Sequence, residues 1–145
     1  MTLSSLTPES IPLVSINFMN QTHLEEVDMV NALMDAIRAK QSGTQNDNEI
    51  SSQLTEWLEH TKAHFARENE LMQETGFPAM PVHVDEHEIA FNRMQTVVTA
   101  WEQNKDLDLL NDYVFTLWPN WFKAHVSSMD KITAEFALMN GFSED

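Results

Sequence analysis

With 145 residues the chain reads as one domain, long enough for a real core. A formal charge of −15 excludes a nucleic-acid-binding or anionic-membrane-binding role, and the lack of cysteine excludes disulfides, thiolate zinc sites and iron–sulfur clusters. An apolar content of 42% with three glycines suits an all-helical fold.

Residues 1–19 read as an N-terminal arm. It has no basic segment followed by a long apolar run, so neither a secretory signal nor a membrane span is expected, and a cytoplasmic protein is the default. Ile11, Leu13, Val14, Ile16 and Phe18 suggest an arm packed over the rest of the chain. A domain of four helices follows over 20–140. The first helix is expected from about Gln21 to Lys40, with His23, Val27, Val30, Met34 and Ile37 as its inner stripe. A polar loop, Gln41 to Asn48, leads to a second helix ending near Thr75. Its inner face carries Ile50, Leu54, Trp57, Thr61, His64, Glu68, Leu71 and Met72, with His60 close to the same face.

The break from Gly76 to Pro81 separates the second helix from a third that starts near Pro81. His83, His87, Ala90, Met94, Val97 and Trp101 give the third helix its stripe. The fourth runs from about Asp108 into the 130s, with Leu110, Val114, Leu117, Trp121 and His125 expected to face inward. Pro119 lies inside it, where a proline removes a backbone hydrogen bond and predicts a kink. Short connections predict an up-down-up-down four-helix bundle.

Five of the six histidines fall on these inner stripes: His23, His64, His83, His87 and His125. Each helix supplies at least one. A single such histidine is ordinarily a core or surface residue. Five imidazoles facing one interior without a cation are costly to bury and gain protons near neutral pH. His64 and Glu68 are four apart, as are His83 and His87. A four-residue helical step turns about 40°, so each pair shares a face. Asp130 follows His125 by five residues, a turn of about 140° on a regular helix. Both residues reach one site only if the helix is distorted or ends between them, and Ser127-Ser128 is the expected place. Five imidazoles with Glu68 and Asp130 exceed the needs of one tetrahedral zinc; they suit two six-coordinate ions sharing carboxylates, with iron or manganese preferred by the nitrogen and oxygen donors.

The series His23, HFARE from His64 to Glu68, HVDEH from His83 to His87, and WFKAHVSSMD from Trp121 to Asp130 resembles the hemerythrins, in particular their single-domain bacterial members. The resemblance runs from about Val14 to Phe136. It implies two iron ions with an oxo or hydroxo bridge. One would be held by His83, His87 and His125, the other by His23 and His64, with Glu68 and Asp130 bridging. It further implies that O2 binds reversibly at the position left open on the two-histidine iron, for carriage, storage or delivery. Phe65, Trp121 and Phe122 are the expected apolar wall of that O2 pocket, while Met94 reads as ordinary core. A monomer or weak oligomer is expected, with no protein partner identified.

The chain departs from the family pattern at Asn20-Gln21-Thr22-His23, where Asp-x-Gln-His is frequent, and at Asn69, where a second carboxylate is frequent. His60 stands where bacterial members often carry an aromatic. Glu26 stands where an aliphatic pocket residue is usual. Two readings of Glu26 are open: it turns to solvent while Val27 fills the core, or it pairs with His60 inside the pocket near the open iron. The second would let Glu26 ligate the open position or, with His60, act as acid and base, and would favour oxidase, peroxidase or nitric-oxide chemistry. A sensor of O2 or iron is a further alternative.

Overall fold

The computed structural model describes residues 6–144, and among them the chain is helical with no strand. Three long helices come first: α1 (Asn17–Gln41), α2 (Asp47–Thr75) and α3 (Met80–Asn104). A fourth rod follows in five pieces: α4 (Leu107–Asp112), a π turn (Tyr113–Leu117), α5 (Trp118–His125), a second π turn (Val126–Asp130) and α6 (Lys131–Met139). Successive helices pack side by side, and α1 closes the ring against the first π turn, giving the four-helix bundle expected of the sequence.

The helix ends follow local chemistry. Gly76 adopts φ 70°, a left-handed conformation that a side chain would resist, and its amide caps Met72 at the end of α2. Pro81 lies in the first turn of α3, where its missing N–H leaves no bond unmade. Asp106 accepts the Leu109 amide at 3.1 Å and starts the fourth rod. Helix α1 begins four residues before the sequence-based position because Ile16 and Met19 are both wholly buried and draw this turn into the core.

The fourth rod differs most from a regular helix. The first π turn ends immediately before α5, whose second residue is Pro119, so the widened turn stands where the proline predicted a kink. A π turn holds one more residue than an α turn. The buried stripe therefore moves from Val114 to Trp118 and Phe122, and the expected inward position Leu117 is 52% exposed instead. Trp121 is likewise only half-buried. The second π turn spans the interval between His125 and Asp130, including Ser127 and Ser128, and both flanking side chains are buried.

One end of the interior is apolar. Ile37, Ile50, Leu54, Trp101, Leu110 and Val114 belong to a continuous core, and the Trp101 indole donates to Ser51 Oγ at 2.9 Å. The described part of the arm lies over α1. Leu6, Ile11, Val14 and Ile16 are buried, whereas Leu13, expected to pack, is 77% exposed. Pro12 and Leu13 both face solvent, while Asn20 holds the next residue, Val14, by its backbone with its side chain buried. Two asparagines of α1 fasten this segment. Asn20 accepts the Val14 amide and donates to the Val14 carbonyl, both at 2.8 Å. Asn31 makes the same pair with Leu6, again at 2.8 Å each.

Replacing Asn31 by alanine removes both bonds to Leu6. It should lower stability by roughly 1–3 kcal/mol in urea denaturation, with loss of exchange protection at the Leu6 amide while the helices keep theirs. Unchanged Leu6 protection would show that apolar packing alone holds the arm.

Candidate metal centre

At the other end of the interior the inward residues are polar. His23 comes from α1, His64 and Glu68 from α2, His83 and His87 from α3, His125 from the end of α5, and Asp130 from the end of the second π turn. None is more than 6% exposed. The π turn brings His125 and Asp130 to one point: His125 Nε2 lies 3.0 Å from Asp130 Oδ1.

Their donor atoms form two overlapping groups, each with all atoms within 4.8 Å of one another. One contains Glu68, His83, His87, His125 and Asp130; the other contains His23, His64, Glu68 and Asp130. Each carboxylate divides its oxygens between them. Glu68 Oε1 faces His87 at 3.2 Å and His83 at 3.6 Å, while Oε2 faces His64 at 2.7 Å and His23 at 3.8 Å. Asp130 Oδ1 faces His125 at 3.0 Å and His83 at 3.1 Å, while Oδ2 faces His23 at 3.0 Å.

These donors fit metal ions better than they fit one another. Neighbouring ligands held at about 2.1 Å from one ion lie about 3 Å apart. Several pairs at that spacing nevertheless form no hydrogen bond: His23 Nε2, His87 Nε2, Glu68 Oε1 and both Asp130 oxygens are buried and unpartnered. An orphaned buried polar atom costs about 1–3 kcal/mol, and five in one cluster call for a common cation.

The charges point the same way. Burial alone would raise the carboxyl pKa values of Glu68 and Asp130. The histidines, above all His64 for Glu68 and His125 for Asp130, outweigh it and hold both well down as carboxylates. Burial opposes protonation of the histidines in turn. Even so, Glu68 and Glu26 raise His64 well above its ordinary 6.5, and Asp130 and Glu86 raise His125 to about 9. At His87 burial prevails and the pKa is lowered. Without a cation, ring protons supply the positive charge that two buried carboxylates require.

Outside the donor set, most rings are held from behind. His83 Nδ1 meets Thr133 Oγ1 at 2.8 Å, His87 Nδ1 meets Asn69 Oδ1 at 2.9 Å, and His125 Nδ1 meets Glu86 Oε1 at 2.5 Å. Such partners fix which ring nitrogen remains free to ligate. Glu86 and Thr133 carried no sequence signal, because their reach depends on the register between neighbouring helices. Asn69, one of the residues at which the chain departs from the family pattern, supplies an acceptor for His87.

The proposed wall residues divide. Phe122 meets His23 edge-on at 5.5 Å between centroids and stacks on Trp118 at 4.4 Å. Phe65 stacks on His87 at 4.1 Å and also touches His64. Trp121 stacks on His125 at 4.7 Å, on the three-histidine side. Met94 belongs to the apolar core.

Glu26 does not turn to solvent: it is 1% exposed. Its Oε2 accepts the Trp57 indole N–H at 2.7 Å, and its Oε1 accepts the Thr61 hydroxyl at 3.2 Å and faces His60 Nδ1 at 2.9 Å. The same oxygen lies 3.5 Å from His64 Nδ1. The Glu26–His60 pair therefore exists, but it stands behind His64 and Glu26 belongs to neither donor group. Burial would raise the Glu26 pKa; His60 and His64 bring it down to about 2. Trp57 and Thr61, read from sequence as plain stripe residues, are its other partners.

The sequence matches the family described as hemerythrin HHE cation binding domain over residues 14–137. It is 31% identical to a bacteriohemerythrin of Aquifex aeolicus across 90% of this chain and 95% of that protein. A bacteriohemerythrin of Stenotrophomonas maltophilia is 25% identical across 91% of this chain and 82% of its own length, and one of Ralstonia nicotianae is 28% identical across 82% and 79%. No solved structure matches the chain at a significant level. The family match spans every helix that contributes to the buried His/Glu/Asp cluster, and the chain belongs to the hemerythrin family.

Proposed function

We propose that this protein binds O2 reversibly at a non-haem di-iron centre, as a carrier, store or delivery module. His83, His87 and His125 would hold one iron and His23 and His64 the other, with Glu68 and Asp130 shared between them. The observation that carries this reading is the division of each carboxylate between a three-histidine and a two-histidine set. The set of His23 and His64 offers one imidazole fewer than the set of His83, His87 and His125, so an ion held there would have room for a small ligand such as O2. When bound, an iron pair supplies two electrons that O2 can accept and return.

The chain's own residues hold and shield the pair. Thr133, Asn69 and Glu86 fix the rings of His83, His87 and His125. Phe122, packed on His23 and 2% exposed, keeps water from the two-histidine side. Phe65 does the same between His64 and His87. A dry wall slows escape of charged oxygen species and so favours release of O2 as such. The enzymatic alternative, with Glu26 entering the open position, has less support, because both Glu26 oxygens are engaged by Trp57, Thr61 and His60. Among the described residues no helix is long and apolar enough to cross a membrane.

Purified from iron-supplied cells, the protein should contain about two irons per chain. Its visible charge-transfer bands should bleach on anaerobic reduction and return with O2 as an oxygenated form that decays slowly. Direct passage to a ferric product would favour the enzyme, and absence of iron would end both readings.

Metal uptake should release protons. His125, raised to about 9 by Asp130 and Glu86, carries a proton at pH 7 that ligation displaces, and Glu68 and Glu26 raise His64 in the same direction. Affinity for ferrous iron should therefore fall as pH falls, and an indicator dye in weakly buffered solution should register acid on loading. Uptake without acid release would place the ions elsewhere.

A further inference from the structure

Glu26 is the one buried acidic side chain, among the described residues, outside the two shared carboxylates. It leaves α1 three residues after His23 and is received by one stripe of α2: Trp57, His60, Thr61 and His64. An indole N–H only donates, and the Thr61 hydroxyl donates as well. The pocket is built for an acceptor-only group, which is a carboxylate. Its fourth neighbour, His64 Nδ1, lies at 3.5 Å and has no hydrogen-bond partner of its own. That contact is long for a hydrogen bond, so charge rather than directional bonding dominates it.

The two sides of the centre are backed differently. On the three-histidine side, His83 and His87 meet neutral groups, Thr133 and Asn69, and His125 meets Glu86, whose side chain is 31% exposed and screened by water. On the two-histidine side, His64 meets a carboxylate whose side chain is 2% exposed. A charge in that position acts through a low-dielectric interior and makes the imidazole a stronger electron donor.

We propose that Glu26 is a positioning residue acting through His64, whose buried negative charge biases the two-histidine ion of the centre toward its oxidised state. The inference rests on the di-iron reading. It goes beyond that reading by assigning unequal potentials to the two ions from their second neighbours.

The test is a mediated potentiometric titration of the iron-loaded protein as wild type, Glu26→Gln, Glu26→Asp and Glu25→Gln. Glutamine keeps the size of the side chain and an acceptor for Trp57 but removes the charge. Glu26→Gln should raise one of the one-electron potentials enough to change the reduced-to-oxidised ratio about tenfold, which is about 59 mV. Glu26→Asp, which keeps the charge, should remain near wild type. Glu25→Gln removes an equal charge from a side chain that is 52% exposed and meets the outer nitrogen of His60, and should leave the potentials unchanged. Equal potentials in wild type and Glu26→Gln, or an equal shift in Glu25→Gln, would overturn the proposal. If Glu26→Gln does not fold, a shift in Glu26→Asp as large as a tenfold ratio would overturn it too.

A second readout needs no iron. In the zinc-loaded protein, the His64 Nδ1 proton resonance should move on Glu26→Gln and stay in place on Glu25→Gln; an unmoved resonance counts against Glu26. Wild-type protein without redox-active iron would defeat the di-iron function itself, whereas a normal wild-type titration with unmoved variants defeats this inference alone.

Discussion

Two carboxylates, Glu68 and Asp130, are buried with their four oxygens pointing at five imidazoles. Removing one such anion from water costs several kcal/mol unless positive charge stands beside it. All else at this end of the bundle answers that requirement. It calls for several cation-binding nitrogens within about 3 Å of shared oxygens, and no single helix can offer them. Four rods packed in a ring can, because each aims one or two donors inward from a different direction.

The rods differ in how they do this. Helices α2 and α3 use the four-residue step, which needs no distortion: His64 with Glu68, and His83 with His87. Helix α1 gives a single donor, His23, and its next turn carries Glu26. The fourth rod must deliver a histidine and an aspartate five residues apart, and does so by changing its hydrogen-bonding pattern between them. π turns are rare in helices and concentrate at functional sites, because the widened turn is retained only where something is gained from it. Here the gain is Asp130 beside His125.

Much of this was legible in the sequence. The stripes of α1, α2 and α3 keep a strict helical period, so their buried faces could be read directly. The need for a distortion between His125 and Asp130 followed from angular arithmetic alone. Leu117 was misplaced for the same reason that the arithmetic works: a regular period was carried through a stretch where the first π turn adds a residue, and Trp118 took the inward place. Leu13 was misplaced because the arm has no helical period to read, and its burial is set by where Asn20 and Asn31 of α1 fasten it. Glu26 was undecided because its burial depends on Trp57 and Thr61 arriving opposite it from another helix, and relative helix register is not written in the spacing of either one. Glu86 and Thr133 were silent for the same reason.

The second π turn also has a meaning for comparing sequences. The turn inserts one residue into an otherwise continuous rod, so everything from Lys131 to Met139 is offset by one position from the count an α-helix would give. A relative with an unbroken α-helix here would bring the same two donors together with three residues between them instead of four. The number of residues separating the last histidine from the last aspartate is then a record of backbone geometry. A one-residue gap in an alignment at Ser127-Ser128 would mark a change of helix type rather than a trimmed loop.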